Sequence, residues 1–189
     1  MVHSWAACLA LGVLCAAALA PARARAHEPG AHVHGVAELR IAIDGPLLEI
    51  DLESPLDNLL GFEHAPRSDR ERAAVRAMAA RLRQAQTMFV ATAAARCKPT
   101  KVRLESSALP AELLGEAPPA SADTSKDPDG HADLDATFTF QCEAPERLQG
   151  VDVGLMQAFK GLRRINVSVA APKGQSAVVL TPGVRAVRW

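Results

Sequence analysis

Histidine and carboxylate side chains alternate at two places in this sequence. His32 and His34 are two residues apart, so an extended backbone would direct both imidazoles to one side. His131, Asp133 and Asp135 have the same spacing. Neutral imidazole and carboxylate oxygen are common ligands of zinc and similar divalent metals. The two patterns therefore predict a metal-binding function.

Two other histidines could add ligands. Glu63 and His64 are adjacent, ahead of a predicted helix, and would supply a carboxylate and an imidazole. His27 would carry a free α-amine if the chain were cleaved after Ala26, and an amine beside an imidazole is a chelate that copper favours. Zinc is the predicted metal, and copper is the alternative.

Each pattern also has an interpretation without a metal. A histidine near a terminus, such as His27, is often simply solvated, and His64 could brace a turn through a hydrogen bond to backbone. The alternation from His131 to Asp135 could be the wet side of an ordinary strand. In that case the protein would be an interaction module with incidental histidines.

The composition argues against several other functions. The 21 Lys and Arg residues balance 21 Asp and Glu residues, so there is no surplus of cations for a nucleic-acid backbone. With 4% aromatic residues and no Tyr, the chain offers few side chains on which bases could stack. It contains no nucleophile elbow, phosphate-binding glycine loop or zinc-protease signature. We expect neither nucleic-acid binding nor catalysis.

The first segment is typical of a secretory signal peptide. An uncharged run from Ala6 to Ala20 precedes small-residue cleavage sites at Ala24 and Ala26. We predict a signal over residues 1–26 and a periplasmic protein that is not embedded in the membrane after cleavage. An uncleaved anchor is the alternative, although the apolar run is short for a bilayer span. The remaining 27–189 have a length typical of one domain.

Cys97 and Cys142 are the two cysteines of the predicted mature chain. An even pair in an exported protein predicts a disulfide, which would stabilise the fold by about 4 kcal/mol on the chain-entropy model. The alternative is a pair of thiolate metal ligands. Cys142 lies on the apolar face of a predicted strand, so the bridge should be buried.

Alternating hydrophobicity predicts strands along most of the chain. Residues 36–43 and 47–53 alternate on either side of Asp44-Gly45, a strong hairpin signal that would place Ile41 opposite Leu48. A second hairpin is predicted near the end of the chain. It joins residues 165–171 and 176–181 through Lys173-Gly174 and would place Val167 opposite Leu180. Further strands are predicted at residues 101–106 and 134–142.

Two helices are predicted. Ser68 and Glu71 form a capping box that opens the longer one. Its apolar stripe recurs at helical spacing through Val75, Met78, Leu82, Ala85 and Phe89. A shorter helix is predicted over residues 151–160. The predicted class is α+β: a mainly antiparallel sheet built from hairpins, with one long and one short helix packed on it. Residues 115–130 lack periodicity and predict a flexible insert.

The sequence resembles the ZrgA-like family of periplasmic zinc-binding proteins. The resemblance is carried by four stretches: HVHGVAEL at 32–39, SPLDNLLGFEHAP at 54–66, HADLDATFTFQC at 131–142 and GQSAVVLTP at 174–182. It implies a protein that binds zinc and assists its uptake, beside a zinc ABC importer or the binding protein of that importer. Carried over residue by residue, it implies the metal-site residues His32, His34, Glu63, His64, His131 and Asp133.

The chain departs from the family pattern at one place. Members often have a His- and Asp-rich tract just before the HAD motif. Here the corresponding stretch is SADTSKDPDG, which has carboxylates and no histidine. Extra low-affinity zinc storage by such a tract is therefore not expected of this chain.

Overall fold

The computed structural model describes residues 33–117 and 132–189, and these two ranges contain nine strands and five α-helices. The strands are β1 (Val36–Asp44), β2 (Leu47–Pro55), β3 (Phe89–Ala91), β4 (Cys97–Glu105), β5 (Asp133–Cys142), β6 (Gly150–Val153), β7 (Arg164–Ala171), β8 (Gly174–Leu180) and β9 (Ala186–Arg188). The helices are α1 (Leu56–Leu60), α2 (Asp69–Leu82), α3 (Ala85–Met88), α4 (Ala111–Leu114) and α5 (Leu155–Ala158).

Six strands form the larger sheet, in the order β4-β5-β2-β1-β7-β8. Its neighbours pair antiparallel except for β1 and β7, which run parallel, with Ala37 opposite Ile165. The prediction of a sheet with helices is confirmed, but the sheet is mixed. A hairpin signal reports only the pairing within that hairpin, so it could not show that the first and last hairpins join side by side.

Both hairpin registers differ from prediction by two residues. Asp44 pairs with Leu47, so the turn is Gly45-Pro46 and Ile41 lies opposite Ile50. Gly45 has a φ of 53°, the left-handed conformation that glycine adopts readily. In the last hairpin, likewise, Val167 lies opposite Val178. A shift of two residues keeps every side chain on its own face, so hydrophobic alternation does not distinguish the two registers.

The core lies on one face of the larger sheet. Leu39, Ile41 and Ile50 are at most 1% exposed on that face. A smaller sheet, in the order β3-β6-β9, contributes to the same core. Phe89 of β3 packs edge-to-face on Phe138 of β5, with ring centroids 4.7 Å apart. The opposite face of the larger sheet therefore remains available for polar side chains.

The first predicted helix is divided in the structure. The capping box is confirmed, because Ser68 accepts from the Glu71 N–H and the Glu71 side chain accepts from the Ser68 N–H. However, α2 ends at Leu82, and the rest of the apolar stripe belongs to α3 and to Phe89 in β3. α2 has 14 residues, and the other helices have four or five. The prediction of one long and one short helix was wrong on this point.

The helix predicted over residues 151–160 was also wrong. Its first part is β6, which lies between β3 and β9 in the smaller sheet. Gly154 then separates this strand from the single turn α5. Val151, Leu155 and Phe159 are all buried, as a helical stripe would require. Three buried positions at a spacing of four cannot distinguish a helix from a strand followed by a turn.

The disulfide between Cys97 and Cys142 is confirmed. The two residues are direct cross-strand partners in β4 and β5, and Cys142 is 3% exposed. The bond therefore fastens the edge strand β4 to its neighbour and belongs to the core. The two cysteines are therefore not a pair of thiolate metal ligands.

Several predicted segments lie outside the described residues. The predicted signal over 1–26 is one, and most of the predicted insert over 115–130 is another. Glu116, at the start of that stretch, is described: it accepts hydrogen bonds from the Leu104 N–H at 3.0 Å and from Arg83. Burial alone would raise the pKa of Glu116, but these hydrogen bonds lower it below the ordinary value.

His32–Trp189 forms one compact unit by its internal contacts. No helix within the described ranges is long and apolar enough to cross a membrane.

Candidate metal centre

The described residues include five of the predicted metal-site side chains: His34, Glu63, His64, Asp133 and Asp135. The other three, His27, His32 and His131, lie outside them. Among residues 33–117 and 132–189, no group of three or more His, Cys, Asp or Glu side chains is placed to hold a metal ion. The structure does, however, bring predicted residues into a close pair.

His34 lies between two carboxylates. Its Nδ1 is 3.2 Å from Oδ2 of Asp57, and its Nε2 is 3.5 Å from Oε1 of Glu63. A neutral imidazole has one N–H, so it can donate to only one of the two carboxylates. The His34 side chain is 63% exposed and that of Glu63 is 22% exposed. An ion in solution can therefore reach the space between them.

A buried asparagine positions this pair. Asn58 is 2% exposed, and its Oδ1 accepts from the Gly35 N–H at 2.5 Å while its Nδ2 donates to the Val36 carbonyl at 2.8 Å. These two bonds tie helix α1 to the turn that precedes β1. Asp57, the residue before Asn58, is thereby held beside His34. Gly35 has a φ of 84°, so the turn uses a backbone conformation that favours glycine.

The same turn is also held from the other side. The Gly35 carbonyl accepts from the N–H groups of Arg163 and Arg164, at 2.8 and 2.9 Å. A Cβ on Gly161 would overlap the backbone carbonyl of Asn58, so only glycine allows this close approach. We refer to residues 34–36, Asp57, Asn58 and Glu63 as the His34 corner. It is fixed by contacts between distant parts of the chain.

His64 follows the corner in the chain and has a defined tautomer. Its Nδ1 lies 2.9 Å from the carbonyl oxygen of Ala65, and a carbonyl can only accept, so Nδ1 carries the proton. Its ring stacks on Phe62, with centroids 5.0 Å apart. Nε2 of His64 is then unprotonated, and its lone pair is available. This geometry fits both interpretations of His64, as a turn brace and as a metal ligand with an oriented ring.

Four carboxylates cross the polar face of the larger sheet. They lie on β4, β5, β2 and β1, and each is paired in register with the next: Glu105, Asp135, Glu53 and Glu38. We refer to these four residues as the acidic row. Their spacing is set by the separation of the strands, which is about 4.8 Å. The predicted ligand Asp135 thus has carboxylate neighbours and no histidine among its cross-strand partners.

Like charges affect the ionisation of Asp135. Partial shielding from water raises the pKa of this carboxyl, and the carboxylates of Glu53, Asp133 and Glu105 raise it further. The Arg40 guanidinium acts in the opposite direction. Arg40 also forms an ion pair with Glu53 at 3.3 Å. The row is a partly neutralised negative surface, suited to attracting cations rather than to enclosing one.

Sequence reasoning missed Asp57 and Glu53. Glu53 lies on a predicted strand, and Asp57 lies in a stretch that resembles the family. Neither residue is next to a histidine in the sequence. The approach of Asp57 to His34 depends on the hydrogen bonds of Asn58, which no local pattern reveals. Strand parity could have placed Glu53 on the polar face beside Asp135, had the pairing of β2 with β5 been known.

The fold and these side chains define a class: a mixed α+β protein that exposes paired imidazole and carboxylate groups. The family model described as ZrgA family zinc uptake protein matches residues 31–189. The chain therefore belongs to the ZrgA family of zinc uptake proteins, as its sequence motifs suggested. No curated protein matches this sequence.

Proposed function

We propose that this protein binds Zn²⁺ in the periplasm, with His34 and Glu63 at the centre of the site, and passes it on during zinc uptake. One observation carries the proposal. Nε2 of His34 and Oε1 of Glu63 are 3.5 Å apart. Two ligand atoms of a tetrahedral zinc ion, each about 2.1 Å from the metal, lie about 3.4 Å from one another. The pair therefore has the separation that zinc requires.

The remaining ligands come from other parts of the chain. A tight zinc site needs about four ligands, and the candidates are His32, His64, His131 and Asp133. Two facts support their contribution. His32 is two residues from His34. Ala132, which follows His131, accepts a hydrogen bond at 2.9 Å from the N–H of Leu56, the first residue of α1. His27 and Asp135 are more remote candidates.

Capture and release follow from the type of ligand. An imidazole binds zinc only when it is neutral, so protons compete with the metal below about pH 6.5. Exposed imidazole and carboxylate groups can exchange one at a time with the ligands of a partner. We propose that the partner is a zinc ABC importer or its binding protein, and that residues 1–26 direct export. No catalytic step is proposed.

Calorimetric titration with zinc tests the function. Untagged mature protein should bind zinc at pH 7.4 and much more weakly at pH 5.5, and zinc should raise the melting temperature. His64→Ala and His131→Ala should weaken binding, and the double variant His32→Ala/His34→Ala should weaken it most. Glu146→Gln, which removes a carboxylate whose side chain is 70% exposed, is the matched control and should bind as the wild type does.

Two results would contradict the proposal. If the histidine variants bind zinc as tightly as the wild type and zinc does not stabilise the fold, the protein is an interaction module with incidental histidines. If copper displaces zinc in a competitive titration and acetylation of the His27 amine abolishes the copper preference, the protein handles copper. Metal analysis of protein purified without a tag provides a separate check on which ion is carried.

A further inference from the structure

We infer that Asp57 is a positioning residue for zinc: its carboxylate accepts the Nδ1–H of His34 and so leaves Nε2 as the metal-binding atom. The inference rests on the proposed zinc function. Neither the sequence motifs nor the family match assigns a role to Asp57. Its role would be to act through His34, without touching the ion.

The two carboxylates beside His34 compete for one proton. Asp57 is the closer acceptor, at 3.2 Å from Nδ1, whereas Glu63 is 3.5 Å from Nε2. Asp57 is also the more firmly placed, because it is followed by the buried Asn58 with its hydrogen bonds to the turn before β1. Glu63 lies in the irregular segment between α1 and α2. The proton therefore belongs on Nδ1.

This assignment leaves two acceptor atoms close together. With the proton on Nδ1, Nε2 of His34 is unprotonated and cannot donate to Oε1 of Glu63, which lies 3.5 Å away. Such an arrangement is unfavourable until a cation lies between the two atoms, and favourable once it does. Asp57 thus makes the pair ready for an ion instead of letting it close as a hydrogen bond.

The position of Asp57 also explains why it does not bind the ion itself. The two nitrogens of an imidazole point away from each other, so an ion at Nε2 lies on the far side of the ring from Asp57. A carboxylate that accepts from the other ring nitrogen of a zinc-bound histidine fixes the tautomer and the ring orientation and increases the basicity of the ligand. Removing such a carboxylate usually weakens metal binding by about 10- to 100-fold.

The test combines two measurements on the mature protein. The first is the tautomer of His34 in metal-free protein, read from long-range ¹H–¹⁵N spectra and assigned by the signal missing in His34→Gln. The second is zinc affinity by competition with a chelator. The variants are Asp57→Ala and Asp57→Asn, and the control is Asp69→Asn, which removes a first-turn carboxylate from α2 as the others do from α1.

We expect the wild type and Asp69→Asn to show the Nδ1–H tautomer and equal zinc affinity. Asp57→Ala should shift His34 towards the Nε2–H tautomer and weaken zinc binding by about 10- to 100-fold. Asp57→Asn keeps an acceptor oxygen, so it should retain the tautomer and lose less affinity. If Asp57 had a structural role alone, its replacement could lower zinc affinity but would not move the tautomer of His34.

Two outcomes would overturn the inference. One is an Nε2–H tautomer in the wild type, or one that Asp57→Ala does not change. The other is a changed tautomer with unchanged zinc affinity. If the wild type binds no zinc at all, the proposed function fails instead, and the tautomer measurement still reports separately whether Asp57 orients His34.

Discussion

The His34 corner and the acidic row both present groups that can bind a cation, but they are built in opposite ways. In the corner, one imidazole lies within 3.5 Å of two carboxylates, and a buried asparagine hydrogen-bonds the backbone of the turn that follows the imidazole. In the row, four carboxylates stand in register on adjacent strands. Neighbouring side chains pair with three of them: Arg40 with Glu53, Asn166 with Glu38 and Arg103 with Glu105. The corner therefore combines two carboxylates with a backbone tied by buried hydrogen bonds, whereas the row has four carboxylates held only by partners on the exposed face of the sheet.

The difference separates two properties on which a cation site can depend, its charge and its preorganisation. Partial burial and the charges of neighbouring carboxylates raise the pKa of Asp135, so protons compete with a cation for this carboxylate. A negative surface of this kind raises the local concentration of cations without selecting one. In the corner, by contrast, Nε2 of His34 and Oε1 of Glu63 are 3.5 Å apart, close to the separation of two ligand atoms on a tetrahedral zinc ion.

The largest expected effect comes from removing the brace of the corner. Asn58→Ala would leave the Gly35 N–H, the Val36 carbonyl and the Ser54 hydroxyl without this partner in a buried place, at a cost of about 3 kcal/mol in unfolding free energy. The matched control is Asn166→Ala on the polar face, where Asn166 donates to Glu38 and should contribute less than about 1 kcal/mol. Urea denaturation measures both; equal losses would mean that the corner is not specially braced.

The second largest effect should be on zinc affinity, and it should differ between the two regions. Glu63→Gln removes the anionic oxygen that faces His34 and should weaken zinc binding by at least about tenfold, or 1.4 kcal/mol. Glu53→Gln makes the same change in the acidic row and should alter affinity by less than about threefold, since exposed charges act weakly at a distance. Chelator competition at physiological ionic strength measures both. A larger loss for Glu53→Gln would place the ion on the sheet face.

The smallest effect concerns the row itself. The pKa of Asp135 is higher in the folded state than in the unfolded chain. Folding therefore favours the protonated carboxyl, and the charged carboxylate destabilises the folded state. As pH rises above the ordinary aspartate value of 3.8, the unfolded chain ionises first and the wild type loses stability. Asp135→Asn should therefore gain about 0.5 kcal/mol at pH 7, the size of an exposed cross-strand charge effect.

The gain from Asp135→Asn should disappear below pH 3, where both states of the wild type are protonated. Asp152→Asn is the control, because Asp152 lies on a strand but pairs with Arg188 at 2.6 Å and should show no gain. Thermal melts at the two pH values measure the difference. A loss of stability at pH 7 in Asp135→Asn would show that the row is held together by cations or hydrogen bonds rather than strained by repulsion.

Much of the fold could be predicted because it depends on local patterns. The capping box at Ser68 and the strand positions in residues 36–53 follow from neighbouring side chains and are confirmed. The predicted register of the first hairpin was wrong. Turns at Asp44-Gly45 and at Gly45-Pro46 keep the same side chains on the apolar face, so hydrophobic alternation cannot distinguish them. The parallel pairing of β1 with β7 joins residues too far apart for any local signal.

The sequence named candidate residue types but could not give their arrangement. The alternation around His34 and the adjacency of Glu63 and His64 indicated candidate ligands, and their role in metal binding stays a prediction. That His34 lies beside Asp57 follows from the position of α1, which Asn58 ties to the turn before β1 by tertiary hydrogen bonds. Asp57 had no sequence signal for this reason. Glu63 approaches His34 from the irregular segment after α1. The ligand roles of all eight predicted residues stay predictions: His27, His32, His34, Glu63, His64, His131, Asp133 and Asp135.

The parallel pairing of β1 with β7 affects the order in which parts of the protein fold. Glu38 and Asn166 meet across this junction although they are 128 residues apart, and Gly35 receives its hydrogen bonds from Arg163 and Arg164. Chains are synthesised from the N-terminus, and contacts of such long range form late in folding. A growing chain thus carries His34 early but cannot complete the surroundings of that histidine until its last hairpin has emerged. Metal capture would then be coupled to completion of the chain, so that a truncated product would hold its ion poorly.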